Sequence, residues 1–163
     1  MVDVLTPEQR RLNMSRIRGR DTKPEMLLRR GLHARRLRFR LHRRDLPGCP
    51  DLVFPRFHAV VFVHGCFWHG HSCPMFKMPA TRVAFWRDKI DGNRKRDQKA
   101  QVKLVQDQWR VFTVWECALR GPGRQEIGTV IDGIVRWLDQ DQSLGSCKGR
   151  APEEKSARGF SAD

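Results

Sequence analysis

Residues 59–73 read AVVFVHGCFWHGHSC, and they join a strand pattern directly to a cluster of cysteine and histidine residues. Its first five residues are apolar and rich in β-branched side chains, a composition that predicts a buried strand ending at about His64. The next ten residues combine cysteine, histidine, glycine and aromatic residues at a density found nowhere else in the sequence. The sequence therefore predicts a core strand followed directly by a loop with metal-binding or catalytic chemistry.

The segments on either side predict a sheet flanked by helices. Residues 51–54 and 58–64 form two strands joined through Pro55 and Arg56, which is the pattern of a hairpin. The other predicted elements are a half-buried strand at 37–41, a strand at 110–115, and helices at 6–17, 22–36, 81–108 and 127–138, the third capped by Thr81 and divided at Gly92. This order indicates an α/β or α+β domain with a central mixed sheet between helices.

Length and charge set the broad class of protein. The 163 residues correspond to one domain, and 32 basic against 18 acidic residues give a net charge of +14, so nucleic acid is the expected partner. No apolar run approaches the roughly 20 residues of a membrane helix. The N-terminus has no secretion signal, so we expect a cytoplasmic protein. The expected divisions are a helical segment at 1–20, a main domain at 21–142 and a loose polar tail at 143–163.

The cysteine and histidine cluster predicts a metal site. Five cysteines in a chain without a secretion signal favour metal or thiol chemistry over a disulfide framework. Structural zinc takes four such ligands in a tetrahedron. Cys66, His71 and Cys73 can chelate from one loop, and Cys117, after the later strand, can supply the fourth ligand. Spacing does not decide which histidine binds, and thiols without a metal are the alternative.

Carboxylate and imidazole side chains near the loop are candidates for catalysis. Asp51 begins a strand next to that of His64, and a carboxylate there can hold the hard cation that phosphodiester cleavage requires; a turn residue is the alternative. His64 and His69 can transfer protons near neutral pH when they do not bind a metal. Glu25 lies on the core face of its helix, although Thr22 and Glu25 also have the spacing of a capping box.

Five segments together resemble the very short patch repair (Vsr) family of DNA mismatch endonucleases. They are DTKPE (21–25), LPGCPD (46–51), VHGCFWHGHSC (63–73), PATR (79–82) and WECAL (115–119), and the similarity covers roughly residues 13–138. The resemblance implies a three-layer, restriction-endonuclease-like α/β fold. It also implies magnesium-dependent nicking of one strand 5′ to the thymine of a T/G mismatch, the product of 5-methylcytosine deamination. Residues 21–142 would then be the endonuclease domain.

The resemblance also implies a role for each candidate in the cleavage site. Asp51 is similar to the magnesium ligand of the family, and the backbone carbonyl of Val63 would be a second ligand. His69 resembles the proton-transfer residue, with His64 and Glu25 completing the site. The wider restriction-enzyme fold carries an acid and a lysine on this strand, which this chain lacks, and that leaves the number of magnesium ions open.

Three further assignments follow from the same resemblance. The structural zinc ligands would be Cys66, His71, Cys73 and Cys117. The residues inserted into the DNA stack would be Phe67, Trp68 and Trp86, with Met14 and Ile17 of the N-terminal segment on the opposite groove. The implied partner is double-stranded DNA with a T/G mismatch, bound by a monomer at the bacterial nucleoid, with mismatch-repair proteins as further candidate partners.

Two other functions remain open from the sequence. A zinc-stabilised module that recognises DNA damage without cutting it would share the charge and the cluster, but it would not require Asp51, His64 and His69 beside the loop. A zinc hydrolase acting on small molecules would require an open zinc position, and it conflicts with the charge of +14.

Overall fold

The structure, a computed structural model, describes residues 5–17 and 19–151 of the chain. Its helices are α1 (Pro7–Arg16), α2 (Lys23–Ala34), α3 (Val83–Gln106) and α4 (Ile127–Leu138). Its strands are β1 (Arg40–Leu41), β2 (Leu52–Phe54), β3 (Ala59–His64), β4 (Arg110–Trp115) and β5 (Leu144–Cys147). Within these residues no helix is both long and apolar enough to cross a membrane.

The strands form a single mixed sheet in the order β1-β2-β3-β4-β5. The first three strands are antiparallel neighbours, whereas β4 runs parallel to β3 and β5 runs parallel to β4. A short 3₁₀ turn, Pro55–Phe57, connects β2 to β3 and confirms the predicted hairpin. The register pairs Leu52 with Val61, so Asp51, one residue before β2, comes to lie near the end of β3.

Helices bury both faces of the sheet because residues of the central strands alternate between two cores. Ala59 and Val61 of β3 pack in the core formed with α2 and α4. Val60 and Phe62 face the other way and pack with Leu104 of α3. The result is three layers, helices, sheet and helix, which confirms the predicted mixed sheet flanked by helices.

Helix α3 differs from its prediction in two features, the division at Gly92 and the N-cap residue. Gly92 does not divide it, since the helix is continuous from Val83 to Gln106. A helical glycine costs about 1 kcal/mol, and burial of Ile90 and Leu104 on either side of it outweighs that cost. The N-cap is Arg82 in the left-handed conformation, without a side-chain cap, so the prediction of Thr81 was wrong.

The segment predicted as a loose tail forms the edge of the sheet instead. Leu144–Cys147 pair with β4, so the prediction was wrong for these residues. The four residues LGSC show no strong strand pattern, which suits an edge strand, since it needs a backbone partner rather than two apolar faces. Gly145 lets this strand lie flat on the core, since a Cβ there would be 2.5 Å from Cδ2 of Phe112. Residues 148–151 continue from it without regular secondary structure, and residues 152–163 lie outside the described residues.

The first strand is shorter than predicted, since only Arg40 and Leu41 pair with β2. Leu37 and Phe39, the apolar residues before it, still pack against the core from an irregular segment. Alternation of apolar residues therefore indicated correctly which side chains face inward. It did not indicate where the backbone pairing begins.

Candidate metal centre and active-site cleft

Four side chains of metal-binding type meet where the loop after β3 approaches the end of β4. One ligand atom from each of Cys66, His71, Cys73 and Cys117 lies within 4.8 Å of the other three. Nδ1 of His71 is 3.6 Å from Sγ of both Cys66 and Cys117. Ligand bonds of about 2.0–2.3 Å give a zinc tetrahedron edges of about 3.5 Å. The structure thus brings the predicted set together in an arrangement that can hold a metal ion.

Backbone N–H groups donate to two sulfurs of this cluster, whereas burial disfavours the charged form of one of them. The backbone N–H of Cys117 donates to Sγ of Cys66 at 3.3 Å, and that of Gly149 donates to Sγ of Cys117 at 3.2 Å. Burial raises the pKa of the Cys66 thiol, so its thiolate requires a compensating positive charge. A soft, thiophilic cation would supply that charge. The ring of His71 stacks on Trp115 at 4.1 Å, which fixes the imidazole plane.

The segment after β5 belongs to the surroundings of the same cluster. A Cβ at Gly149 would lie 2.4 Å from the carbonyl oxygen of Cys117, so only glycine permits this approach. The backbone N–H of Arg150 donates to the carbonyl of Gly123 at 2.8 Å and holds the segment in place. The segment that follows the edge strand therefore packs directly on Cys117, one of the four side chains of the cluster.

A histidine pair lies beside the metal cluster. The rings of His64, at the end of β3, and His69 stack with centroids 3.9 Å apart and planes 4° apart. Asp97 of α3 contacts Nδ1 of His69, leaving Nε2 as the free nitrogen of that ring. Burial, reinforced by the charge of His69, lowers the pKa of His64 to about 4. His64 is therefore neutral near pH 7, whereas His69 has a carboxylate partner that orients it.

Asp51 lies in the same cleft as the histidine pair. Its Oδ2 accepts a hydrogen bond of 2.7 Å from the backbone N–H of Val63. Burial, with a smaller contribution from the charge of Glu25, raises the pKa of Asp51 to about 7. Asp51, Val63, His64 and His69 all line one cleft of about 320 Å³. The carboxylate, the end of β3 and two imidazoles therefore face a single space, where a cation would offset the desolvated carboxylate.

Glu25 is charged and yet buried, with 2% of its surface exposed, and among the described residues no other charged residue is buried. Its backbone N–H donates to Oγ1 of Thr22 at 3.4 Å, which is one half of the capping box. Its side chain, however, forms an ion pair with Arg29 and lies 3.0 Å from Nε2 of His42. Nδ1 of His42 is 3.8 Å from Oδ1 of Asp51, so His42 connects Glu25 to the cleft.

Phe67, Trp68 and Trp86 contact one another, and Trp68 lines the groove that His64 and His69 also line. The ring of Phe67 is 5.1 Å from that of Trp68 and 5.4 Å from that of Trp86. All three are half-buried, and none is a member of the two cores found in the described residues. Nδ2 of Asn93 donates to the carbonyl of Trp68 at 2.8 Å, which ties the loop to α3.

The N-terminal helix presents apolar residues without burying them. Thr6 and Gln9 form a capping box at its start. None of its ten residues, all of which are described, is buried. Met14 is 37% exposed and Ile17, just after the helix, is 51% exposed. Ile17 lines a groove with Trp68 and His69, so this end of the segment faces the cleft.

Three residues of this region were missed from the sequence: Arg29, His42 and Asp97. Asp97 lies in a helix whose other polar residues are mostly solvated, and no local pattern distinguishes it from Asp88 or Asp91. Arg29 and His42 come from different elements and meet only through the fold. The one signal for these partners was Glu25 on the core face of its helix, because a buried carboxylate requires a hydrogen-bonding or charged partner.

Comparison with known proteins gives one consistent result. The family model described as DNA mismatch endonuclease Vsr matches residues 2–75. The Xanthomonas oryzae pv. oryzae protein named Type II nicking enzyme V.XorIIP is 49% identical over 126 residues, covering 77% of this chain and 93% of that protein. The Escherichia coli protein named DNA mismatch endonuclease Vsr is 42% identical over 138 residues, covering 85% of this chain and 88% of that protein.

Proposed function

This chain belongs to the Vsr family of DNA mismatch endonucleases, and we propose that it nicks one strand of duplex DNA 5′ to the thymine of a T/G mismatch. The observation that carries the proposal is the convergence of Asp51 and the His64–His69 pair in one cleft beside an aromatic cluster. The net charge of +14 supplies the attraction to the phosphate backbone. The substrate is bacterial chromosomal DNA, and we expect a monomer at the nucleoid, with mismatch-repair proteins as candidate partners.

Asp51 and the backbone carbonyl of Val63 would hold the catalytic cation, which we assign as Mg²⁺. Both residues line the cleft, and hard oxygen ligands are those that magnesium prefers. When bound, magnesium would polarise the scissile phosphate and lower the pKa of the attacking water. The hydrogen bond from the Val63 N–H fixes Oδ2 of Asp51, which leaves Oδ1 as the oxygen free to bind.

His69 moves the proton in this proposal. Asp97 orients its ring through Nδ1, so Nε2 can accept a proton from water or deliver one to the leaving oxygen. His64 is neutral and stacked against it, and it keeps the His69 ring in place. Glu25 would position Asp51 indirectly, because the ring of His42 lies between the two carboxylates. Each of these roles rests on a contact between described residues.

Phe67, Trp68 and Trp86 would form the wedge that enters the base stack at the mismatch. Apolar side chains that separate base pairs cost about a few kcal/mol per step, and a mismatched step is easier to open. Insertion of the wedge therefore costs less free energy at a mismatched step than at a matched one, and this difference makes the enzyme selective for the mismatch. Met14 and Ile17 would approach the DNA from the opposite groove, and their exposure on an otherwise unburied helix fits that role.

We assign the Cys66, His71, Cys73 and Cys117 cluster to structural Zn²⁺, whose four positions would all be filled by protein. The soft donor set favours zinc over magnesium, and a closed site has no position for a reacting water. The metal would hold rigid the loop that carries Phe67, Trp68 and His69. Three of the proposed zinc ligands and the proposed proton carrier, His69, therefore lie in one segment, residues 64–73.

Replacing Cys117 with Ser should remove most of the bound zinc and lower the melting temperature by roughly 10 °C or more, since binding energy of a structural metal is folding energy. Zinc content by elemental analysis and thermal unfolding measure both effects. Cys147→Ser is the matched control, because Cys147 is a half-buried thiol of β5 outside the cluster. Full zinc retention in Cys117→Ser would remove Cys117 from the site.

Replacing Trp68 with Ala should reduce nicking of a T/G duplex about 10- to 100-fold, because a stacked aromatic contributes about 1–3 kcal/mol. Affinity for a matched duplex, where the wedge is not inserted, should change much less. The nicking rate and the binding affinity are measured on two duplexes that differ only at the mismatched base. Equal losses on the two duplexes would identify Trp68 as a packing residue.

The proposed function is tested by a nicking assay on one duplex, labelled separately on each strand. We expect a single cut 5′ to the mismatched thymine with Mg²⁺, no cut with EDTA, and no cut of the matched duplex. Tight binding of the T/G duplex without cleavage under any of these conditions would support the alternative, a zinc-stabilised module that recognises damage only.

A further inference from the structure

A groove of about 440 Å³ is continuous with the cleft that contains Asp51. Val63, His64 and His69 line both spaces. Because the cleft and the groove share these walls, a DNA strand whose scissile phosphate lies at Asp51 has its neighbouring nucleotide in the groove. A charged side chain that lines the groove is therefore placed to contact the phosphate next to the one that is cut.

Two cationic side chains line this groove, and the protein holds one of them in position. Lys23, the first residue of α2, and Arg120, which follows β4, both contribute to its walls. Nη1 of Arg120 is 3.0 Å from Oε1 of Glu116. The other carboxylate oxygen, Oε2, accepts a hydrogen bond of 3.1 Å from the backbone N–H of Cys66. Glu116 thus ties the guanidinium to the loop that carries His69.

The surroundings of Arg120 suit a ligand-binding group better than a structural ion pair. Its side chain is 62% exposed, and an exposed ion pair contributes little to folding stability because water screens it. A guanidinium has five N–H donors in a planar fork, and among the described residues only Glu116 forms an ion pair or side-chain hydrogen bond with them. The remaining donors match a phosphate, which guanidinium binds through two parallel hydrogen bonds.

We propose that Arg120 binds the phosphodiester next to the scissile one on the nicked strand, and that Glu116 sets the position of Arg120. Ile17 and Trp68 line the same groove and provide an apolar surface for the sugar between the two phosphates. Arg120 is a positioning residue, since it fixes the strand and does not touch the reacting atoms. This role rests on the proposed function, nicking of the T/G duplex.

The test replaces single phosphates of the nicked strand with an uncharged methylphosphonate. The positions are the two phosphates that flank the cut one and a third phosphate several nucleotides away. Arg120→Gln should lower the kcat/KM for nicking the unmodified duplex about 10- to 100-fold, the value of a hydrogen bond to a charged group. On the duplex that lacks the contacted charge, the original chain should lose a similar factor, and Arg120→Gln should lose almost nothing more.

A control variant separates this contact from the general effect of charge. Arg124 is an exposed arginine that does not line the groove, so Arg124→Gln should nick at close to the original rate and respond to each methylphosphonate as the original chain does. Melting temperature and metal content should be unchanged in Arg120→Gln, because its side chain is exposed. Glu116→Gln keeps an acceptor for the Cys66 N–H but loses the ion pair. It should lower the rate by a smaller factor and add nothing to Arg120→Gln.

Two results would overturn the role of Arg120. One is that the losses from Arg120→Gln and from each methylphosphonate multiply at all three positions, and the other is that Arg124→Gln loses as much as Arg120→Gln. The same scan of binding affinity without magnesium requires no cleavage, so it separates this role from the proposed function. Non-additive losses at one flanking phosphate of a duplex that is bound but never nicked would overturn the proposed nicking and leave the phosphate site standing.

Discussion

Asp51→Asn is expected to reduce nicking of a T/G duplex by at least about a thousand-fold, while binding of the same duplex stays within a few-fold of its original strength. Loss of the cation removes several kcal/mol of transition-state stabilisation, and each 1.4 kcal/mol is a factor of ten. Affinity depends mainly on basic side chains at phosphates and is unaffected by a neutral isostere in the cleft. Single-turnover nicking and a binding titration without magnesium measure the two quantities.

The same substitution should stabilise the protein when magnesium is omitted. Because burial raises the pKa of Asp51 to about 7 from an ordinary value of 3.8, the folded chain holds this proton while the unfolded chain has released it. The free energy of unfolding therefore falls as the pH rises from about 4 to about 7, by an amount of the order of 4 kcal/mol. Asn has no charge to desolvate, and its amide oxygen can still accept the hydrogen bond from Val63.

The stability difference is measured by denaturant unfolding of both proteins across that pH range. Asp51→Asn should be more stable at pH 8, and its advantage should shrink toward zero as the pH approaches 4. Added magnesium should stabilise the original chain and not the variant. A variant that nicks at the original rate would place the cation elsewhere, and a variant that is less stable at pH 8 would show that the carboxylate is a structural acceptor.

Sequence reasoning predicted correctly which side chains meet where these are close along the chain. The loop after β3 carries two cysteines, His69, His71 and two aromatic residues within eight positions, so composition alone marked it as a candidate site. Cys117 was predicted because it follows a strong strand, and the structure adds the reason that it meets the loop: β4 runs parallel to β3, so the two strands end at the same edge of the sheet.

Contacts between distant elements were beyond the same reasoning. Asp97 reaches His69 only because α3 continues through Gly92, which local propensity indicated as a break. His42 and Arg29 meet Glu25 through the packing of α2 against the end of β1, and no periodicity encodes that meeting. The edge strand β5 was missed because its sequence lacks an apolar face, and its pairing is supplied by β4.

His69→Ala is expected to lower the single-turnover nicking rate by roughly 10²- to 10⁴-fold, the usual range for loss of a positioned acid or base. The neighbouring imidazole cannot replace it, because burial lowers the pKa of His64 to about 4 and leaves that ring a poor proton carrier near pH 7. Zinc content and melting temperature should be unchanged, since His69 is not a member of the Cys/His cluster.

Two comparison variants separate proton transfer from packing. Asp97→Asn keeps the shape of the contact to Nδ1 of His69 but removes the charge that orients the ring, so it should lower the nicking rate less than His69→Ala does. His71→Ala should have the opposite signature, with loss of zinc and of thermal stability. Should His69→Ala lose the metal while His71→Ala keeps it, the two histidines would exchange roles. A rate unchanged in His69→Ala would leave water or phosphate oxygen to carry the proton, and the stacked histidine pair would then be a structural feature of the cleft.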